Sequence, residues 1–305
     1  MGNAHDHHHS NTNSMPRLAW ALGITGVILI SQLWGSFLTG SLALLGDTAH
    51  VAVDSSGLVI AVVSAKLMTR PASERHTWGL QRLDVISAFA QASVLTVVGI
   101  FLVIGGVVKI FEPTHVPGKL LLIFGIIGLV GNLIALSILV GDTSHSMNVR
   151  AAVLDMLADS LGSLAVVIAA ICEMVWGFAL ADALAALFIG VLIIPRALRL
   201  IREALGILLE ATPRELDSAV IAEHFRQKEF VVSVHDLHVT QLSSALPVLT
   251  AHVVIRNDVL QAGKSQFALT ELQHCAVEHF PLSIAHSTFQ LESEDALCAL
   301  VNAHD

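Results

Sequence analysis

The chain has 305 residues, of which 54% are hydrophobic and 13% charged, and its formal net charge is −9. Soluble globular domains carry about 25% charged residues, so this composition excludes a soluble protein and indicates a membrane-embedded one. The 16 lysines and arginines form no basic stripe, which excludes nucleic-acid binding, and the three cysteines have no paired spacing that would indicate a disulfide framework.

Six apolar runs follow one another along the first two thirds of the chain. A membrane-spanning helix needs about 20 predominantly apolar residues. The runs lie at residues 18–37, 42–67, 85–111, 120–140, 149–175 and 178–198. We therefore predict a disordered, histidine-containing tail at residues 1–15, a six-helix transmembrane domain at 16–210 and a separate domain at 211–305.

The basic residues beside these runs are distributed unequally between the two sides of the membrane. With the N-terminus in the cytoplasm, only Lys109 and Lys119 fall on the outer side. The basic residues that then fall on the cytoplasmic side are Arg17, Lys66, Arg70, Arg75, Arg82, Arg150, Arg196, Arg199 and Arg202. Cytoplasmic loops carry an excess of basic residues, so we predict a multi-pass protein of the cell membrane with both termini cytoplasmic.

Ionisable residues at matched spacing interrupt the second and fifth apolar runs. His50 and Asp54 stand four residues apart in "HVAVD", and Asp155 and Asp159 stand four residues apart in "DMLAD". Residues at this spacing share one helix face, and an ionised group at membrane depth is costly enough to indicate a function. One imidazole and three carboxylates suffice to coordinate a divalent cation such as Zn²⁺. We therefore predict a metal site between these two helices.

Four other polar residues in the apolar runs are interpreted structurally. Asp47 stands three residues before His50, where it either lines the path of the ion or caps the second helix. Asp182 begins the sixth run, and we predict that it caps a helix rather than binds metal. Gln32 and Asn132 are predicted to form hydrogen bonds between helices.

The character of the sequence changes after "LLEATP". Thr212, Pro213 and Glu215 form a capping-box pattern with proline at the first helical position, which predicts a helix reaching Phe225. The other predicted elements are strands at residues 231–242, 248–257 and 283–292 and a helix at residues 265–278. The predicted order of elements in this α+β domain is αββαβ.

Five segments resemble the cation diffusion facilitator family, namely "GSLALLGDTAHVAVDSSG", "RHTWGLQRLDVISAF", "SMNVRAAVLDMLADSLGS", "ALRLIREALGILLEATP" and "VHDLHVTQLSSALPVLTAHVVI". The resemblance covers nearly the whole chain. It implies six transmembrane helices followed by a small metallochaperone-like domain, a homodimer, and export of divalent metal, usually zinc, in exchange for protons. It also implies that His50, Asp54, Asp155 and Asp159 form the transport site.

The transport site differs at one position from that of many zinc-transporting relatives, which have a histidine where this chain has Asp155. Sites with one histidine and three aspartates also serve zinc and cadmium in the family, so we expect Zn²⁺ as the substrate and Cd²⁺ as the second candidate. Carboxylate-rich sites suit harder ions, so Mn²⁺, Fe²⁺ and Co²⁺ are the alternative substrates.

The resemblance also implies a zinc site in the C-terminal domain. Relatives use histidines at the positions of His235, His252 and His286, and Glu292, Cys298 or a residue of the partner chain would supply the fourth ligand. Four further residues that could bind metal are expected to be surface residues or to pack in the interior of the domain: His238, His274, Cys275 and His279.

Three further features have both a functional and a structural interpretation. Glu74 and His76 stand where some relatives bind another ion, or they are ordinary surface residues. Arg82 and Glu210 stand where relatives pair a basic and an acidic residue near the dimer interface, or they are unrelated surface charges. The N-terminal tail contains four histidines, which either collect metal ions loosely or have no role: His5, His7, His8 and His9.

The motifs separate three functional classes. The chain has no G-x-x-x-x-G-K-[ST] motif, so transport would draw on an ion gradient. Protons are the natural counter-ion because metal ligands must be deprotonated. A metalloenzyme would need a general base beside the metal, as in H-E-x-x-H, which is absent. A channel or a sensor without proton exchange is the alternative to a zinc exporter.

Overall fold

The computed structural model describes residues 14–140, 147–243 and 246–295. Within these ranges, it describes only the backbone of residues 14–25, 58, 61, 62, 65, 138–140, 147–152 and 155. The described residues form two compact units. One lies within Met1–Val59 and Gln91–Leu198, and the other lies within Ile60–Ala90 and Arg199–Asp305.

Six long helices follow one another through the described part of the first 208 residues. They are α1 (Ser14–Thr39), α2 (Leu42–Met68), α3 (Leu83–Phe111), α4 (Gly118–Val140), α5 (Met147–Trp176) and α6 (Ala181–Leu208). Segments of α3, α4, α5 and α6 are long and apolar enough to cross a membrane, and α1 contributes a shorter apolar segment, Gly26–Thr39. The chain is therefore a multi-pass helical membrane protein.

Large apolar side chains on the outside of the helices support this conclusion. Phe37, Val97 and Phe111 are among the residues whose side chains are mostly exposed. The interior of the bundle is filled largely by alanine and leucine, for example Ala43, Leu44 and Leu102. These residues face outwards without the cost that exposure to water would carry, because lipid tails are as apolar as the side chains themselves.

Helix α6 is longer than the predicted span, which ended at residue 198. The segment "RALRLIREALGIL" contains strong helix formers and continues the helix to Leu208. Pro195 lies inside the helix, where it cannot donate a hydrogen bond to the carbonyl of Val191. Arg196, which the charge distribution assigned to the cytoplasmic side, lies within this helix and inside the predicted run at residues 178–198.

The C-terminal domain, Ser218–Ser293, confirms the predicted fold class. Its elements are α7 (Ser218–Arg226), β1 (Val231–Ser243), β2 (Leu246–Ile255), α8 (Asn257–Gln261), α9 (Ser265–Glu278) and β3 (His286–Ser293). The sheet has the order β1-β2-β3, with β1 antiparallel and β3 parallel to β2. A parallel pair needs a crossover connection, which α9 provides. Phe225, Leu249 and Leu272 are fully buried in its core.

The beginning of α7 differs from the prediction. The helix begins at Ser218, and the carboxylate of Asp217 accepts a hydrogen bond of 2.8 Å from the backbone N–H of Ala219. Residues 214–215 form a turn instead, closed by a hydrogen bond from the N–H of Leu216 to the carbonyl of Pro213. The predicted capping box at Thr212 is therefore wrong, because an aspartate nearer the apolar run satisfies the first helical N–H groups.

Candidate metal centres

His50 and Asp54 on α2 meet Asp159 on α5 inside the helical bundle. Nε2 of His50 lies 2.7 Å from Oδ1 of Asp159 and 3.5 Å from Oδ2 of Asp54. His50 is only 5% exposed. The three residues each offer a ligand atom within 4.8 Å of the other two, so small side-chain movements bring them to the distances of ligands that share one metal ion.

Asp155 is the fourth predicted ligand. It lies on α5 one turn before Asp159, and the spacing of four residues favours the same helix face. Its side chain lies outside the described residues. Its role as a ligand therefore stays a prediction.

Arg196, which was predicted only as a basic residue on the cytoplasmic side, also contacts the acidic residues of this cluster. Its Nη1 lies 3.3 Å from Oδ1 of Asp159, and its Nη2 lies 3.7 Å from Oδ2 of Asp54. The predicted run at residues 178–198 already included this arginine, but no pattern in the sequence indicated which side chains of other helices it would contact. A guanidinium here supplies positive charge to the two carboxylates, which reduces the cost of removing them from water.

A small cavity lies beside the cluster. It has a volume of about 20 Å³, and its lining includes Asp47, His50, Asp159, Gly162 and Arg196. A space of about 10–15 Å³ holds one water-sized particle. The cavity is therefore of the size of a single dehydrated ion.

Asp47 joins three helices rather than capping α2. It is 2% exposed and accepts hydrogen bonds of 2.9 Å from Nε2 of Gln32 and from Oγ of Ser163. Asn132 in turn donates to Oγ of Ser163 at 2.9 Å. Gln32 and Asn132 therefore form the predicted hydrogen bonds between helices. Asp47 also lines the small cavity, so its carboxylate is close to the proposed path of an ion.

Asp182 caps a helix, but not the one on which it lies. Its carboxylate accepts hydrogen bonds from the backbone N–H of Leu42 at 2.9 Å and of Ala43 at 3.2 Å, in the first turn of α2. It also accepts from the hydroxyl of Ser41, and Nζ of Lys109 lies 3.0 Å away. The prediction of a capping role is correct in kind, but the helix that it caps is α2 instead of α6.

A second cluster lies on the sheet of the C-terminal domain. His235 and His252 are directly opposite each other in the register of β1 and β2. Glu292 on β3 places Oε1 at 2.9 Å from Nδ1 of His252 and Oε2 at 3.4 Å from Nε2 of His235. These three residues meet the same proximity condition as the membrane cluster. Glu292, one of the three predicted fourth ligands, therefore joins the two histidines.

His286 lies at the other end of β3 and contacts a different residue. It pairs with Val248 in the sheet register, and its ring packs edge-on against Trp78 with ring centroids 4.5 Å apart. The structure therefore does not group His286 with His235 and His252. Cys298, another proposed ligand, lies outside the described residues.

A third cluster was not predicted as a site. Nε2 of His224, in the last turn of α7, lies 2.9 Å from Nδ1 of His279, and Cys275 on α9 offers a thiol within 4.8 Å of both. Cys275 is buried in the domain core, as the packing interpretation expected. Burial, with contributions from the nearby His279 and Lys228, lowers the pKa of His224 below its ordinary value.

The remaining candidates are surface residues or lie outside the described residues. His76 is exposed, and Nδ1 of its ring lies 3.5 Å from Oγ of Ser73. Within the described residues, neither it nor the exposed Glu74 belongs to a group of three potential ligands. Arg82 donates to Glu210 over 2.7 Å, so these two residues form the predicted pair. The histidines of the N-terminal tail fall outside the described residues: His5, His7, His8 and His9.

A bundle of long apolar helices around a group of metal-competent ionisable residues defines a membrane protein that handles metal cations. The family model described as "Cation efflux transmembrane domain" matches residues 18–209. The chain therefore belongs to the cation efflux family, the cation diffusion facilitators whose motifs it resembles. This is a family of transporters.

Three relatives match over most of their length. The cadmium, cobalt and zinc/H(+)-K(+) antiporter of Bacillus velezensis is 31% identical over 292 residues, covering 95% of this chain and 92% of the relative. The metal cation efflux system protein CzcD of Cupriavidus metallidurans is 33% identical over 292 residues, covering 96% and 90%. The zinc transporter ZitB of Escherichia coli is 32% identical over 296 residues, covering 95% and 92%.

Proposed function

We propose that this protein exports divalent metal ions, above all Zn²⁺ and next Cd²⁺, from the cytoplasm in exchange for protons. The observation that carries the proposal is the group of His50, Asp54 and Asp159 beside a cavity of single-ion size. We include Asp155 as the fourth ligand because of its position on α5. The names of the relatives, an antiporter for cadmium, cobalt and zinc and a zinc transporter, support both the metal and the exchange.

The contacts within the site suggest how exchange operates. Asp159 is paired with both His50 and Arg196. An arriving divalent cation takes over the carboxylate oxygens and Nε2 of His50, which must be deprotonated to bind it. The proton released in this step leaves as the metal enters, and reprotonation of the same groups on the opposite side releases the metal.

The topology and assembly belong to the same proposal. We place both termini and the C-terminal domain in the cytoplasm, because the excess of basic residues lies beside the corresponding ends of the helices. We also propose a homodimer, with the Arg82–Glu210 pair near its interface. In the C-terminal domain, His235, His252 and Glu292 hold a zinc ion, and His286 contributes only if Trp78 moves away from it.

The membrane site is tested by metal flux in reconstituted vesicles. Asp54→Ala and Asp159→Ala should each abolish Zn²⁺ flux, because the remaining ligands cannot replace the hydration shell of the ion. Asp258→Ala removes an exposed carboxylate of the C-terminal domain and should leave flux unchanged. Near-normal flux in either membrane variant, with correct folding and dimerisation, would refute the assignment.

The second candidate is export of a chemically harder metal ion than Zn²⁺, because two of the three described ligands at the site are carboxylates. We expect excess Cd²⁺ and Co²⁺ to inhibit Zn²⁺ flux strongly and Mn²⁺ and Fe²⁺ to inhibit it weakly. Stronger inhibition by Mn²⁺ or Fe²⁺ would assign the harder ions as substrates. Zn²⁺ flux that does not respond to an opposing proton gradient would instead indicate a channel, and tight binding without flux would indicate a sensor.

A further inference from the structure

Three side chains of metal-ligating type that belong to neither of the sites proposed above converge within the C-terminal domain. His224 comes from the last turn of α7, Cys275 from α9, and His279 follows α9 as its C-terminal cap. Cys275 and His279 are four residues apart, a spacing that places two side chains on the same helix face. The helices thus bring together two imidazoles and a thiol, although His224 and His279 are 55 residues apart in the sequence.

The distances suit a shared ion. The two facing ring nitrogens, Nε2 of His224 and Nδ1 of His279, are 2.9 Å apart. Tetrahedral Zn²⁺ with Zn–N bonds of about 2.0–2.1 Å holds two nitrogen ligands roughly 3.3 Å apart. One nitrogen of each ring and the thiol of Cys275 all lie within 4.8 Å of one another. Side-chain movements of about an ångström or less therefore complete the coordination distances.

The surroundings of the three donors differ in a way that suggests an open site. Cys275 is fully buried in the core, whereas His224 is half-buried and His279 is exposed. The thiolate would therefore approach the ion from the protein side and the imidazoles from its rim. The fourth position would face solvent, where a water molecule completes the coordination.

We propose that His224, Cys275 and His279 form an additional metal site for a borderline-soft divalent cation, with Zn²⁺ as the physiological ion. Two imidazoles and a thiolate select Zn²⁺ and Co²⁺ over Mn²⁺ or Mg²⁺, in contrast to the carboxylate-containing sites elsewhere in the chain. An ion here links α7 to the end of α9 and so stabilises the C-terminal domain. The site is independent of the transport ligands, and its existence does not depend on the proposed exchange.

The thiolate allows this site to be observed separately from the others. The full-length protein in detergent, with Cys172→Ser and Cys298→Ser, keeps Cys275 as its single thiol. Titration with Co²⁺ should produce a near-ultraviolet thiolate-to-cobalt charge-transfer band. Sites built from imidazole and carboxylate groups cannot produce this band. Substitution of His279 or His224 by Gln should weaken Co²⁺ binding, followed by this band, at least tenfold.

Two controls make the result specific. His274→Gln removes an exposed histidine beside Cys275 that pairs with Glu278, and it should leave the band unchanged. Cys275→Ser should abolish the band. Because this buried substitution can disturb folding, the exposed His279→Gln is the deciding variant. Absence of the band in the folded parent would overturn the proposal. So would a band that depends on Co²⁺ concentration in His279→Gln and His224→Gln in the same way as in the parent.

Discussion

At the scale of single residues, the most consequential side chain in the membrane cluster is Arg196. Its guanidinium approaches the same oxygens that a metal would bind, Oδ1 of Asp159 and Oδ2 of Asp54. In the proposed transport cycle, a divalent ion therefore displaces part of this interaction when it binds. We expect the arginine to stabilise the site when no metal is bound and to lower the affinity of the site for metal.

Arg196→Gln should make metal binding tighter and the metal-free protein less stable. We expect the dissociation constant for Zn²⁺ at the membrane site to fall about threefold to tenfold, equivalent to roughly 0.6–1.4 kcal/mol. The melting temperature without metal should fall because Asp159 and Asp54 lose a positive neighbour. Calorimetry and thermal melting of the purified protein measure both effects.

Arg199 provides the matched control for this prediction, because it is an exposed arginine three residues further along the same helix. Arg199→Gln should change neither the affinity nor the melting temperature in the metal-free state. Weaker Zn²⁺ binding in Arg196→Gln would show instead that the arginine orients the ligands, contrary to the competition described above.

At the scale of helices, the start of α2 depends on a residue far away in sequence. Asp182 satisfies two N–H groups of the first turn of α2 and pairs with Lys109 of α3, so one buried carboxylate connects three helices. Because α2 carries His50 and Asp54, this connection also supports the position of the metal ligands.

Asp182→Ala should destabilise the protein by about 2–4 kcal/mol, because a helix cap is lost and Lys109 keeps a partly buried charge without this partner. Asp217→Ala removes an exposed helix cap in the C-terminal domain and should cost only about 1 kcal/mol. Equilibrium or thermal unfolding in detergent compares the two variants. A loss in Asp182→Ala no larger than in Asp217→Ala would show that the buried cap adds nothing beyond an ordinary one.

At the scale of the whole molecule, the pair of Arg82 and Glu210 tests the proposed dimer. Both side chains are partly exposed in the single chain, at 42% and 58%. An ion pair with such access to water contributes at most about 1 kcal/mol. Burial by a second copy would change this value, since water and salt would no longer screen the two charges.

A double-mutant cycle with Arg82→Gln and Glu210→Gln should therefore give a coupling free energy above about 1 kcal/mol when dimer dissociation is measured. The pair Arg256 and Asp258, which is exposed in the C-terminal domain, is the matched control and should couple more weakly. Additive effects of the two single substitutions would place the Arg82–Glu210 pair outside the interface.

Exchange with protons predicts a particular pH dependence for the whole transport cycle. Metal and protons compete for His50 and the carboxylates, so a lower proton concentration favours the metal-bound form. The apparent affinity for Zn²⁺ should rise between about pH 6 and pH 8, where imidazole groups change protonation. In inside-out vesicles, a proton gradient opposed to the metal movement should drive accumulation of Zn²⁺.

His50→Ala should weaken the dependence of transport on both pH and the proton gradient. His238→Ala, an exposed substitution on β1, should leave both unchanged. Accumulation against a metal gradient that survives collapse of the proton gradient would contradict proton exchange.

The sequence by itself determined the class of the protein, the positions of its long helices and the αββαβ order of its C-terminal domain. Apolar runs, and alternation of apolar and polar residues, depend directly on which faces of each segment are in contact with water. These predictions therefore agree with the structure. The sequence also singled out His50, Asp54 and Asp159, because spacing of four residues defines one face of a helix and charged groups are rare in apolar runs.

Only the tertiary structure decided which residues from different elements meet. It pairs Arg196 with Asp159, directs Asp182 to the start of α2, joins Glu292 to His252, and brings His224 to Cys275 and His279. Arg196 and Asp159 are 37 positions apart in the sequence, and Asp182 and Leu42 are 140 positions apart. Periodicity describes one helix or strand at a time, whereas such contacts depend on how the packed elements are oriented around their own axes.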